Sequence, residues 1–293
     1  MENIKFSSLY RFIKGNNEFV GLSKIPEVSC LCPECANFSL LLEGIEKSQK
    51  KNHEFLVPTN CHDFLDMYCC QPIKYECSEN TCDKCPEINS LFETLNDLEI
   101  VSFLIWQPSE KYFKKEQMQS TGKDIVQYLK SKFIKLKTHF YTKRLQSAKY
   151  SHMTKNIAEG EILIHVDYSE NFKNKQQEEV KTAFYGQQQF SLYTACVYYY
   201  NKNHTSNEDK IKVKNFVHIP SINDHTCEVS YVLNKYILKQ MKDIVSFQKV
   251  SFWSDGCTSQ FRSQFAFQLL TCFDKDLSLD WHFFLISSWK GSS

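Results

Sequence analysis

The chain has 293 residues, 42% hydrophobic and 14% aromatic, with a formal net charge of +1. That length and apolar content suit one large or two modest cores. The apolar runs fall far short of the roughly 20 residues a membrane span requires, and residues 1–10 are polar where a signal peptide carries its apolar run. With neither repeats nor low-complexity tracts, the chain reads as a soluble intracellular protein, nuclear or cytoplasmic.

Divided along the chain, the charge is informative. Residues 1–108 hold 9 Lys+Arg against 16 Asp+Glu, residues 109–150 hold 11 against 3, and residues 151–293 hold 15 of each. Three segments are therefore expected: a Cys-rich module over 1–108, a basic helical connector over 109–150, and an α/β core over 151–293.

Nine of the 13 cysteines lie between Cys30 and Cys85. In a reducing compartment, such clustering points to metal rather than to disulfides. Cys30, Cys32 and Cys35 form a CxCxxC knuckle, and Cys82 and Cys85 form a CxxC, with Cys61, His62, Cys69, Cys70 and Cys77 between them. Either two tetrahedral zinc sites or one site with spare thiols fits this supply. The ligands expected downstream are Cys70, Cys77, Cys82 and Cys85. Free buried cysteines are the plain alternative, but they have no reason to adopt these spacings. A module this rich in loops would draw much of its stability from the ion. Its acidic balance argues against it gripping DNA unaided.

After Cys85, residues 91–98 and 101–106 read as a short helix and a strand, and residues 108–122 as a linker. From 123 to 150 the period becomes helical, with Ile125, Leu129, Phe133, Leu136 and Phe140 on one stripe. Lys130, Lys135, Lys137, Lys143 and Arg144 make this helix a candidate DNA phosphate contact; a solvated helix docking its apolar stripe is the plain reading.

The second half opens on a branched apolar run, Ile162 to Val166, delivered into Asp167. A matching run, Val250 to Ser254, ends in Asp255. Between and after them lie expected strands at 181–184, 189–200 and 216–219, a helix capped by Asp224 and carrying Val229, Leu233, Tyr236 and Ile237, a helix within 259–273, and a strand at 279–286. The order from residue 161 onward, strands then helix, strand, helix, strand, is that of an RNase H-like fold: a mixed sheet flanked by helices, with first, fourth and fifth strands parallel and the first and fourth adjacent. Asp167 and Asp255 would then end neighbouring strands about 4.8 Å apart and share a Mg²⁺ or Mn²⁺ ion, the arrangement of two-metal phosphoryl transfer. An Asp after a strand is also a common turn or cap residue. Glu170 could face the same cleft, and His225 could support it from beside the helix cap. Cys257 has no evident His partner for thiol chemistry.

Three segments, Val166-Asp167-Tyr168-Ser169-Glu170-Asn171, Phe252-Trp253-Ser254-Asp255-Gly256-Cys257-Thr258-Ser259-Gln260-Phe261 and Trp281-His282-Phe283-Phe284, resemble a large family of animal proteins derived from DNA transposons. The resemblance extends upstream through the Cys-rich region. It implies a DDE-type transposase or integrase core, with Asp167 and Asp255 as the first two acidic residues, metal-dependent DNA cleavage and strand transfer in the ancestor, and DNA and a homo-oligomer as partners. Where the family pattern reads S-H-G-K-G, this chain has Ser287-Ser288-Trp289-Lys290-Gly291, and Asp274, Asp276 and Asp280 precede the last strand. The expectation is a C-terminally truncated copy without its third carboxylate, weak or inactive as a nuclease. The alternative is a non-catalytic zinc-containing module that binds DNA or protein.

Overall fold

A computed structural model describes residues 32–49, 57–110, 112–169, 171–173, 189–220 and 224–284. These fall into two units, 32–146 and 147–284. Cys30, Glu170, the strand expected at 181–184 and the segment from 285 onward lie outside the described residues.

The first unit contains α1 (Pro33–Gln49), α2 (Cys61–Tyr68), α3 (Tyr75–Ser78), α4 (Asn89–Asn96), β1 (Val101–Pro108), β2 (Phe113–Ser120) and most of α5 (Gly122–Lys155). Phe38, Leu41, Leu42 and Ile45 recur at helical spacing on α1 and are all buried. They share a core with Phe64, Leu91, Leu95, Val101 and the α5 stripe Ile125, Leu129, Phe133 and Leu136. The Phe64 ring stands edge-on to both Phe38 (5.1 Å) and Phe133 (5.3 Å), which joins three helices at one point. α1 approaches β1 so closely that a Cβ on Gly44 would collide with the Cβ of Phe103, so only glycine fits there. The Asn37 amide brackets the Trp106 backbone, donating to its carbonyl at 3.0 Å and accepting from its N–H at 2.7 Å.

Two expectations need correction here. The segment expected as a linker is strand β2, which pairs antiparallel with β1 along its full length. Its run Phe113-Lys114-Lys115-Glu116-Gln117 is largely exposed, so no apolar alternation marked it as strand. Nor is 109–150 a separate connector: its helix supplies Ile125, Val126, Leu129, Phe133 and Leu136 to the Cys-rich core, and the first unit runs on to residue 146. That helix starts where the Asp124 N–H donates to the Thr121 hydroxyl at 3.3 Å.

The second unit is built on a five-stranded sheet. Its strands are β3 (Glu161–Tyr168), β6 (Tyr193–Tyr200), β7 (Ile211–His218), β8 (Lys249–Asp255) and β9 (Ser278–Phe284); β4 (Phe172–Lys173) and β5 (Gln189–Phe190) form a small separate ladder. The order across the sheet is β7-β6-β3-β8-β9. β6 and β7 run antiparallel to their neighbours, while β3, β8 and β9 run parallel. Helices α6 (Cys227–Lys242) and α7 (Gln264–Leu270) fall between β7 and β8 and between β8 and β9. The fold is thus α/β with a mixed sheet, as expected.

Side-chain alternation then assigns the two faces. Ile162, Ile164, Val166 and Tyr168 of β3 join Val250 and Phe252 of β8 against Ile237, Leu238 and Met241 of α6. On the opposite face, Leu163 and Trp253 pack with Ile157, Tyr150 and Met153. β7 is longer than expected because Ile211-Lys212-Val213-Lys214 continues the ladder at the sheet edge, where lysines are tolerated. α6 is capped by Thr226 rather than Asp224, and α7 begins only after the Ser263 cap. At the start of the parallel pair, the Lys249 ammonium meets Glu161 at 2.8 Å, holding the ends of β3 and β8 in register.

Candidate functional site

In the Cys-rich unit, the sulfur atoms of Cys70, Cys77, Cys82 and Cys85 all lie within 4.8 Å of one another. Cys77 comes from α3, Cys70 follows α2, and Cys82 and Cys85 come from the loop beyond α3. Cys70 Sγ is 3.7 Å from Cys82 Sγ and 3.8 Å from Cys85 Sγ. A tetrahedron with Zn–S bonds of about 2.3 Å has edges of about 3.8 Å, so these separations are those of a zinc–thiolate site. None of the described cysteines is in a disulfide.

The electrostatics fit the same reading. Burial, reinforced by Cys82 and Cys85, pushes the Cys70 thiol up to about 12. Burial also raises Cys85. The backbone at Lys84 draws Cys82 down to about 7 against its own burial. The group favours one thiolate at a time, because several negative sulfurs in contact repel. A bound dication removes that repulsion and lets all four ionise. Cys69 stands at the margin, its Sγ 4.0 Å from Cys85, and burial pushes its thiol up strongly.

The upstream knuckle has a different partner from the one expected. Cys30 lies outside the described residues, while Cys32 and Cys35 gather with His139 of α5, their ligand atoms within 4.8 Å of one another. Sequence reading missed His139. Its signal was faint, one imidazole on the apolar side of a basic helix, 107 positions from Cys32.

The basic residues of α5 do not act alike. Lys137 is 3% exposed, donates to Asn80 Oδ1 at 2.7 Å and lies over the Phe133 ring, so it braces the core and is corrected from phosphate contact to structural lysine. Lys130 is exposed with its ammonium 4.7 Å from the Phe92 ring. Lys135 and Arg144 are exposed and Lys143 is half-buried. At about 100° per residue, Lys130 and Arg144 lie on one flank of the apolar stripe and Lys135 on the other, so the cations form no single track.

In the sheet unit, Asp167 is the second-to-last residue of β3 and Asp255 the last of β8. The parallel register pairs the strands as far as His165 with Trp253; carried on by two residues, it would set Asp167 opposite Asp255. Both project from the face that carries Leu163 and Trp253, opposite the α6-covered core. Both carboxylates also act on the imidazole of His165, one step back on the same face. Burial lowers the His165 pKa, and Asp167 and Asp255 partly restore it. Its Nδ1 lies 3.1 Å from the Tyr150 hydroxyl.

Asp255 also serves as a turn residue, accepting the Cys257 N–H at 3.2 Å. The Arg262 guanidinium lies beside that turn, 3.7 Å from where a Cβ on Gly256 would stand. Among the described late acids, Asp280 pairs with Ser251 toward the other end of the strands, and Asp274 pairs with Lys242 at 2.8 Å. His225 is committed elsewhere: it stacks on Tyr168 and its Nε2 meets Ser191 Oγ at 2.7 Å. His165 and Arg262 were not anticipated. The i, i+2 spacing of His165 and Asp167 was the available signal for the first, whereas only the fold of the turn reveals the second.

Residues 146–293 match a family model described as Domain of unknown function (DUF8701), and residues 34–137 match one described as Domain of unknown function (DUF8700). The second match begins at residue 146, next to the junction of the two structural units between 146 and 147. No curated protein matches the chain. No described helix is long and apolar enough to cross a membrane.

Proposed function

We propose that this chain, which belongs to the DUF8701 family, is a transposon-derived DNA-binding protein with an RNase H-like core of DDE descent and a zinc-stabilised module before it. One observation carries the reading: Asp167 and Asp255 share a face at the same ends of adjacent parallel strands, in a sheet ordered β7-β6-β3-β8-β9. Two hard oxygen donors placed so suit Mg²⁺ or Mn²⁺, which binds through one or two carboxylates and completes its shell with water and phosphate. Bound there, the ion would supply charge stabilisation for phosphoryl transfer. The chain's own part is to hold two carboxylates together against their repulsion, with His165 below them and Arg262 beside the Asp255 turn. In the upstream module, the Cys70, Cys77, Cys82 and Cys85 thiols would hold structural zinc.

A second reading has its own support. The described residues bring two carboxylates to these strand ends, and Asp255 already closes a turn. That favours a core that binds metal and DNA with weak or no strand cleavage. The test is Mn²⁺ binding by the full chain, followed by electron paramagnetic resonance, alongside nicking of supercoiled DNA. Binding should be lost in Asp167→Asn and Asp255→Asn, with nicking slow or absent in the parent. Mn²⁺ binding indifferent to both substitutions would reject the acidic site. Robust nicking abolished by either would reject the non-catalytic reading.

A further inference from the structure

Cys32 immediately precedes α1, and Cys35 lies in its first turn. The Cys35 N–H donates to Cys32 Sγ at 3.4 Å, the N–H···S contact of a knuckle whose sulfur points back over a helix N-terminus. Both sulfurs are withdrawn from solvent, Cys32 being 6% and Cys35 2% exposed. His139 approaches from α5 with Nε2 3.6 Å from Cys32 Sγ. In a zinc tetrahedron with Zn–S of about 2.3 Å and Zn–N of about 2.0 to 2.1 Å, the S···N edge is about 3.6 Å. Two turns earlier on α5, Lys132 pairs with Glu34 of α1 at 3.1 Å, so the same two helices are already held together beside the cluster.

We propose that Cys32, Cys35 and His139 form a second zinc site, separate from the Cys70 group, that staples the start of α1 to α5. Thiolate and imidazole donors together suit Zn²⁺ over hard cations. Three protein donors leave one tetrahedral position for water or a further ligand. The site deepens the zinc part of the proposed function and is independent of the acidic strand ends. Its role is structural: α1 and α5 both line the first core, and the ion would fix their spacing at the end remote from Gly44.

Native mass spectrometry of the full chain purified with zinc counts the ions. The parent should carry two, His139→Ala one, and His139→Cys two, since a thiol replaces the imidazole as ligand. Cobalt substitution should show the two sites apart, with His139→Cys strengthening the thiolate charge-transfer band. A parent with a single zinc, or with two that persist in His139→Ala, would overturn the second site and leave the Cys70 group standing. A parent with none would overturn both. Where His139→Ala fails to fold, the His139→Cys count decides, and one zinc there would overturn the proposal. A thiol–imidazole hydrogen bond without metal gives that same single-zinc result.

Discussion

The two units keep their chemistry in different places. In the first, Cys32, Cys35, Cys69 and Cys77 belong to the buried core itself, packed among Phe64, Leu65 and Leu91. In the second, Asp167 and Asp255 hang at strand ends beyond a core of Ile164, Phe252, Tyr168 and Trp253 that closes without them. A site made of core atoms cannot be emptied without disturbing the fold, whereas a site at the rim of a sheet can be altered while the sheet persists.

The largest expected consequence of that contrast concerns metal removal. Chelation should melt the tertiary structure of the Cys-rich unit, because structural zinc contributes on the order of 10 kcal/mol or more to such modules. The sheet unit should keep its amide exchange protection. Hydrogen exchange resolves the two, and uniform protection with and without chelator would break the comparison. Proton competition acts in the same direction: zinc binding must expel thiol protons, including those that Cys70 and Cys85 hold above pH 7, so affinity should fall as pH drops and fall more steeply below about 7, where Cys82 is protonated as well.

Next in size is the core of the sheet unit. Phe252 is fully buried and its ring stacks on Trp281 at 4.8 Å. Phe252→Ala should cost about 3 to 5 kcal/mol by denaturant unfolding. Asp167→Asn should cost far less. Equal losses from the two would mean that the carboxylates are structural after all.

The smallest effect is the most local. Burial lowers the imidazole pKa of His165, His218 and His282 below the ordinary 6.5. The unfolded chain therefore binds these protons first, so stability is complete above pH 6.5 and declines as pH falls through the folded values. At His165, the carboxylates of Asp167 and Asp255 oppose the burial. Either Asn substitution should depress that imidazole further, as a shifted NMR titration midpoint. A midpoint unmoved by both would separate the carboxylates from His165 and from each other.

Much of this was legible because it is local or periodic. The apolar run into Asp167, its counterpart into Asp255 and the stripe of α5 each announce an element through the spacing of neighbouring residues. CxxC spacing marked a thiol cluster before any geometry was known. Strand β2 was hidden because its cross-strand hydrogen bonds with β1 need no apolar alternation on an exposed ladder. Lys137 read as a surface cation because nothing nearby in the chain reveals Asn80, 57 positions away, to which its ammonium donates.

By itself, then, the amino-acid order determined which residues could be strands, helices and metal-binding thiols, since backbone preference and side-chain period act over a few residues. Only the tertiary structure decided which of them meet: Cys70 with Cys77, Cys82 and Cys85, His139 with Cys32 and Cys35, and His165 with the field of both Asp167 and Asp255. Such meetings depend on parallel register and on helices crossing a shared core, and those are settled by burying apolar surface across the whole unit.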